Sequence, residues 1–306
     1  MTDMEFLKNL TDIVGEGNVL LDEPMSKHTT FKVGGKTKYM VEPTSVAVLC
    51  EVLDFLKFDS PYPYFVLGNG SNLLVTDNGY EGVMVKIGKN LSRIEMVDDT
   101  IKAEAGAMLS KVARLACDNG YTGMEGLSGI PGSIGGGVAM NAGAYGDEVK
   151  DTILSATVYD PGTGSILELS KDEMDLSYRH SIFSVKEYVI LDATFKCSMG
   201  DKEEIQKKVE EYTLQRKTKQ PLEYGSAGST FKRPEGYFAG KLIQDAGLRG
   251  YTVGGAQVSE KHCGFVINKD NATATDVLQV IRDVQNIVKE KFGVSLETEV
   301  CIVDRD

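Results

Sequence analysis

The stretch Ser128-Gly129-Ile130-Pro131-Gly132-Ser133-Ile134-Gly135-Gly136-Gly137-Val138-Ala139-Met140-Asn141-Ala142-Gly143 constrains the chain most. So much glycine in one run removes the side chains from which a core is built. What it offers instead is backbone that can approach a large partner closely. The run therefore reads as a cradle for a ligand and not as a packing element.

A second glycine pair points the same way. In Leu67-Gly68-Asn69-Gly70-Ser71-Asn72-Leu73 the two glycines permit positive φ. Consecutive N–H groups, with the Ser71 and Asn72 side chains, can then form a nest for a diphosphate. Taken singly the loop is equally a plain β-turn, but two glycine loops together suit a dinucleotide clamped from both sides. The Gly68-x-Gly70 pair is not a Rossmann fingerprint, because Leu73 stands where the third glycine belongs and a strand-like sequence follows. Neither loop leads into Gly-Lys-[Ser/Thr], so an NTPase phosphate loop is not supported.

A different kind of segment lies downstream, at Tyr224-Gly225-Ser226-Ala227-Gly228-Ser229-Thr230-Phe231-Lys232-Arg233-Pro234. It is a turn-rich stretch that presents the Ser229 hydroxyl next to two cations, Lys232 and Arg233. With Arg216-Lys217-Thr218-Lys219 just before it, basic residues cluster locally in a chain whose formal net charge is −12. The overall charge disfavours nucleic acid, whereas the local cluster fits a small phosphorylated substrate.

Periodicity organises the rest. Residues 1–20 read as an amphipathic helix, expected as a docking arm, with Phe6, Leu7, Leu10, Ile13 and Val14 on one side. A strand at 38–41, a helix through Val46, Leu49, Leu53 and Leu56, and a strand at 64–67 make a β-α-β unit. From 82 to 197 short strands dominate (83–87, 100–105, 156–159 and 189–195), interrupted by one helix at 109–118 that stops at Asn119-Gly120. Helices follow at 202–217, 238–246 and 275–292, with strands at 266–268 and 296–303. This mixed order indicates an α+β fold, and the 306 residues suffice for two or three cores. The expected division is 1–82, 83–199 and 200–306.

With 42% apolar residues and no apolar run near the roughly 20 needed to span a bilayer, a membrane protein is not expected. The acidic N-terminus, Met1-Thr2-Asp3-Met4-Glu5, is unlike a secretory signal, and the chain is expected to be cytoplasmic. Five scattered cysteines without a C-x-x-C pair argue against a disulfide framework and a zinc site. His28 and His180 lack partners at ligand spacing, so no metal is expected.

Several motifs recur together and in order. They are Thr29-Thr30-Phe31-Lys32-Val33-Gly34-Gly35, the two glycine loops, Asn141-Ala142-Gly143-Ala144-Tyr145-Gly146, Ser177-Tyr178-Arg179-His180-Ser181, Ala227-Gly228-Ser229-x-Phe231-Lys232 and Leu296-Glu297-x-Glu299-Val300. This set, spanning essentially the whole chain, resembles the UDP-N-acetylenolpyruvoylglucosamine reductases, also called UDP-N-acetylmuramate dehydrogenases, in their shorter second subtype. The resemblance implies a two-lobed FAD-binding domain of the vanillyl-alcohol-oxidase type and a C-terminal α+β substrate domain at 200–306. It also implies NADPH as reductant and the enolpyruvyl ether of UDP-N-acetylglucosamine as substrate, reduced in peptidoglycan precursor synthesis, by a monomer. Lys36, not His, follows Gly35, so FAD is expected to be non-covalent.

Carried over residue by residue, the resemblance implies Arg179 as the arginine that holds the substrate carboxylate, Ser229 as proton donor and Glu299 as second acid. Glu297 competes with Glu299, since strand alternation puts both on one face and only motif register separates them. The cofactor set is Gly68, Asn69, Gly70, Ser71, Asn72, Gly129, Ile130, Pro131, Gly132, Ser133, Gly136 and Asn141. Tyr178, Lys219, Lys232, Arg233, Gln257 and His262 are candidates for the substrate. Cys301 stands where arginine is common in the family and Arg233 where some members have asparagine. Two other readings use the same residues: a FAD-dependent sugar or alcohol oxidase of the same superfamily, and a non-enzymatic nucleotide-binding module.

Overall fold

The chain is described here from a computed structural model covering residues 1–304. It is α+β and resolves into two compact units. The first comprises Met1–Leu21, Tyr39–Asn69 and Gly82–Leu214, and the second Asp22–Lys38, Gly70–Glu81 and Gln215–Asp306. The expected segments 1–82 and 83–199 thus fall mainly in the first unit and 200–306 mainly in the second. Two early pieces, 22–38 and 70–81, belong with the C-terminal residues. The reason is long-range pairing: strand Cys301–Val303 lies parallel to Leu73–Val75, and Asp77 reaches the start of helix Ala274–Phe292.

In the first unit, the helix expected over 1–20 is shorter, Asp3–Val14, and docks into the core through Phe6, Leu10 and Val14. Thr2 caps it with a reciprocal box to Glu5, and Gly15 ends it in a conformation with φ of 84°. Phe6 is fully buried with ring centroids of Tyr39, Phe55 and Tyr62 at 5.0, 5.4 and 4.8 Å. Burying such a side chain contributes roughly 1.5–3 kcal/mol, which explains why the helix docks. Strand Tyr64–Leu67 runs parallel to Tyr80–Lys86 in a four-stranded sheet whose order is Val19–Pro24, Lys36–Val41, Tyr80–Lys86, Tyr64–Leu67. The β-α-β unit expected from the sequence therefore has a later strand inserted between its two strands.

The larger sheet of this unit is antiparallel, in the order Ser165–Ser170, Ile153–Asp160, Val189–Lys196, Thr100–Glu104, Ile94–Val97. Helix Leu109–Asp118 forms where the periodicity places it. The glycine-rich run, expected not to pack, does pack: Ile134–Ala139 is a short helix capped by Ser133, with Ile134, Gly137 and Val138 buried. A Cβ on Gly137 would lie 3.0 Å from Leu109 Cδ2. Glycine here lets two helices approach, and the flanking Ile and Val supply the apolar contact that glycine lacks.

The second unit is built around helix Ala274–Phe292, which buries Val277, Val280, Ile281, Val284 and Val288 against a three-stranded antiparallel sheet, Thr252–Val253, Ala256–Val258 and Val266–Asn268. Gly293 ends the helix in the left-handed region. The strand expected at 296–303 is shorter, Cys301–Val303. Before it the chain makes only an isolated bridge between Thr298 and Phe231.

Candidate active site

The two glycine loops meet in the first unit. Asn69 Nδ2 donates to the Pro131 carbonyl, and a Cβ on Gly68 would stand 2.3 Å from Ser133 Oγ. Gly68, Asn69 and Ser133 line one cavity of about 410 Å3 with Lys86, Gly88, Lys89, Gly106, Met108, Lys111 and Glu42. The second loop is anchored beside this cavity by backbone bonds. Leu109 N donates to Gly132 O at 3.0 Å, Ile134 N to Ala107 O at 2.8 Å and Gly135 N to Ala105 O at 2.8 Å.

The cavity fits part of a nucleotide cofactor on two grounds. Its walls are backbone in near contact: a Cβ on Gly106 would meet Gly88 O at 2.1 Å. Its side-chain charges are three lysines against one glutamate, a donor set suited to a diphosphate, and pockets of this volume hold small ligands and cofactor parts. The lysine walls at 86–89 and 106–111 are not singled out by the motifs. Isolated glycines at Gly88 and Gly106, each ending a strand, are the one signal for them in the sequence.

Gly70, Ser71 and Asn72 belong to the second unit. Gly70 has φ of 62°, and a Cβ there would fall 2.0 Å from His28 O, so only glycine fits. Asn72 faces the second candidate acid: its Nδ2 donates to the Glu299 carbonyl at 2.9 Å, and its own carbonyl accepts from Cys301 N at 3.0 Å. Of the other cofactor candidates, Gly129 and Ile130 are half-buried, Gly132 and Ser133 are buried, and Pro131 and Gly136 are exposed. Gly136 N donates to Ser133 Oγ at 3.4 Å.

Arg179 sits at the tip of a tight turn in the first unit. Ser177 N donates to His180 O and His180 N to Ser177 O, both at 3.1 Å, leaving Tyr178 and Arg179 between them. Arg179 has φ of 53°, a left-handed conformation that costs a non-glycine residue roughly 1–2 kcal/mol. Its guanidinium donates to Gly143 O at 3.2 Å and Asn141 O at 3.5 Å and lies 5.0 Å from the Tyr178 ring centroid.

In the second unit, Ser229 and Glu299 lie on paired segments. Glu299 N donates to Thr230 O and Lys232 N to Glu297 O, each at 2.9 Å. Thr230 is wholly buried and rivets the pair in place: its N donates to Gly264 O, and its Oγ1 accepts from Val266 N at 2.9 Å. Ser229 is exposed and Glu299 half-buried. Glu297, the competitor, is exposed and stands 3.5 Å from the Lys232 ammonium.

The remaining substrate candidates occupy separate segments of this unit. Lys219 ends helix Lys202–Lys219 and is exposed. Arg233 lies 4.6 Å over the Phe238 ring, and Gln257 Nε2 donates to Thr252 Oγ1 at 3.0 Å. His262 packs edge-on to Phe265, with Nδ1 accepting from Gly264 N at 3.1 Å. Burial pushes its pKa down, which favours the neutral ring.

Comparison with known proteins matches these parts to two domain families. Residues 37–170 match a FAD binding domain, and residues 220–303 match the C-terminal domain of UDP-N-acetylenolpyruvoylglucosamine reductase. The UDP-N-acetylenolpyruvoylglucosamine reductase of Agathobacter rectalis is 50% identical over 97% of this chain and 98% of its own. That of Clostridium tetani is 51% identical over 99% of this chain and 97% of its own. Among solved structures, the Thermus caldophilus reductase superposes with a TM-score of 0.78 at 32% identity, covering 93% of this chain and 97% of that one.

Proposed function

The chain belongs to the UDP-N-acetylenolpyruvoylglucosamine reductase family, and we propose on that premise that Arg179, Ser229 and Glu299 carry its reaction. It is a FAD-dependent oxidoreductase of peptidoglycan precursor synthesis that reduces the enolpyruvyl ether of UDP-N-acetylglucosamine. Its fold is a FAD-binding domain with a C-terminal α+β domain, and the FAD-binding part is proposed to be of the vanillyl-alcohol-oxidase type.

FAD, when bound, supplies the hydride that adds to the terminal carbon of the enol ether. Gly68, Asn69, Gly129, Ile130, Pro131, Gly132, Ser133 and Gly136 would hold it through backbone and hydroxyl contacts, with Gly70, Ser71 and Asn72. The supporting features are the direct contact of Asn69 with Pro131 and the lysine-bearing cavity beside both loops. NADPH is the proposed source of reducing equivalents.

Charge then develops on the substrate carboxylate, where fixed donors have the greatest effect. Arg179 holds that carboxylate with a fork already oriented by the carbonyls of Asn141 and Gly143. Ser229 gives its hydroxyl proton to the carbon next to the site of hydride addition. Glu299, protonated or sharing a proton with the substrate, completes the acid pair, since two bare carboxylates in contact would repel. Lys219, Lys232, Arg233, Gln257, His262 and Tyr178 are the proposed contacts for the UDP-sugar.

The observation that carries this assignment is the backbone bond from Glu299 to Thr230, which fixes the segment of the proton donor to that of the second acid. No helix among the described residues is long and apolar enough to cross a membrane. The working form is proposed to be a cytoplasmic monomer. The test is optical: purified protein should carry a visible flavin band that NADPH bleaches and the enolpyruvyl UDP-sugar restores. A band that only oxygen restores would overturn the reading in favour of a sugar or alcohol oxidase.

A further inference from the structure

Asn141 is wholly buried and holds a left-handed φ of 44°, with its amide nitrogen donating twice and its amide oxygen accepting within the fold. Its Nδ2 donates to the Ser177 carbonyl at 2.9 Å and to Glu148 Oε2 at 3.2 Å, while its Oδ1 accepts from Lys150 N at 2.9 Å. The partners dictate the orientation of the amide: a carbonyl and a carboxylate can only accept, and a backbone N–H can only donate. A side chain spent in this way does not reach out to a cofactor.

What it reaches is the turn that carries Arg179. Ser177 closes that turn, so the Asn141 side chain pins its base, while the Asn141 backbone carbonyl accepts from Arg179 Nη1 at 3.5 Å. Two residues on, Gly143 O takes Nη2 at 3.2 Å, and on the far side of the turn Ser181 Oγ donates to Ala139 O. The segment leaving helix Ile134–Ala139 therefore grips the turn at its base, beyond its exit and at the guanidinium. Strained backbone of the kind Arg179 shows persists only where its surroundings over-determine it.

We propose that Asn141 is a positioning residue for Arg179: it holds the left-handed turn so that the guanidinium meets the carboxylate of the substrate. The inference rests on the assignment of Arg179 to that carboxylate. It moves Asn141 out of the cofactor-binding set.

The test compares two ligands on the flavin-loaded protein by titration calorimetry. UDP-N-acetylmuramate carries the carboxylate and UDP-N-acetylglucosamine does not. Asn141→Gly removes the side chain while tolerating the positive φ, and Asn141→Asp keeps the shape but cannot donate to Ser177. Both variants should weaken binding of the carboxylate ligand on the order of 10-fold or more, as expected for a displaced charged hydrogen bond, and leave the other ligand unchanged. In an Arg179→Ala background, Asn141→Gly should add nothing further, because the two residues act as one unit.

The failures are distinguishable. If Arg179→Ala itself does not reduce the preference for the carboxylate ligand, the assignment of Arg179 is wrong. If Arg179→Ala abolishes the preference and both Asn141 variants keep it, the positioning role is wrong. Equal weakening of both ligands, or loss of flavin or of the folded state in both variants, would show a general structural role and overturn the proposal.

Discussion

Glu299 donates its backbone N–H to the carbonyl of Thr230 at 2.9 Å, which places the second candidate acid one residue in register from Ser229. Strand alternation puts Glu297 and Glu299 on one face, and in the sequence only motif register selects Glu299. Their surroundings differ: Glu297 is exposed beside Lys232, while Glu299 is half-buried with its carbonyl held by Asn72.

This arrangement predicts a split between half-reactions. Ser229→Ala should leave flavin content and reduction by NADPH nearly intact, because neither uses the hydroxyl proton. Reoxidation by the enolpyruvyl substrate should slow by about 10² to 10⁴, the usual contribution of a positioned general acid. Ser229→Cys should recover part of it. Stopped-flow measurement of both steps decides: equal slowing of the two, or of neither, rules out a proton donor.

The contact of the glycine loops predicts a specific rescue. Gly68→Ala puts a Cβ 2.3 Å from Ser133 Oγ and should lower bound flavin. Adding Ser133→Ala removes the clashing oxygen, since the Ser133 Cβ lies 3.5 Å away, and should restore flavin in part, short of the wild-type level because the Ser133 hydroxyl is itself a proposed cofactor contact. It should also cost about 1 kcal/mol of stability through loss of the helix cap to Gly136. Flavin retained in the single variant, measured by absorbance after gel filtration, would separate the Gly68 loop from the cofactor.

How far the sequence carries depends on the range of the forces involved. Helix Leu109–Asp118 and the buried stripe Val277, Val280, Ile281, Val284 and Val288 are local patterns, and they form where periodicity puts them. The helix Ile134–Ala139 is not legible, because glycine argues against a helix by its own propensity. Only the close approach of Leu109 makes the absence of side chains useful. The inclusion of 22–38 and 70–81 in the second unit is equally hidden, since it depends on the pairing of Leu73–Val75 with Cys301–Val303 far along the chain. Motif register brings out Arg179, Ser229 and Glu299 as candidates. The use of Asn141 is invisible without the partners of its side chain.

Asp77 predicts a stability effect at a distance in sequence. Its carboxylate accepts from Ala274 N and Thr275 N, both at 2.8 Å, and from Thr275 Oγ1 at 2.7 Å, at the positive end of helix Ala274–Phe292. Asp77→Ala should cost about 1–2 kcal/mol, as loss of a cap does, read as a lower denaturant midpoint. An unchanged midpoint would mean that the Thr273 capping box alone suffices for this helix end.

Glu125 predicts the pH dependence of that stability. Only 3% exposed, it is pushed upward by burial, yet its pKa lies below the ordinary value. Hydrogen bonds outweigh the burial: Thr122 Oγ1 donates to Oε1 and Gly123 N to Oε2, both at 2.7 Å, with Lys208 Nζ at 3.8 Å. A carboxyl whose folded pKa is lowered binds its proton more weakly in the folded state than in the unfolded chain. Its stabilisation is therefore complete above the unfolded value of about 4.3 and is lost as pH falls through the lower folded value. Glu125→Gln should cost roughly 1–3 kcal/mol at neutral pH, as expected for a weakened buried network. The gap between variant and wild type should close on acidification, because the wild-type carboxyl then becomes neutral too. Urea midpoints of the two proteins from neutral pH down to about one unit below the unfolded value check the sign: a gap that widens in acid would show that burial, not the hydrogen bonds, dominates at Glu125.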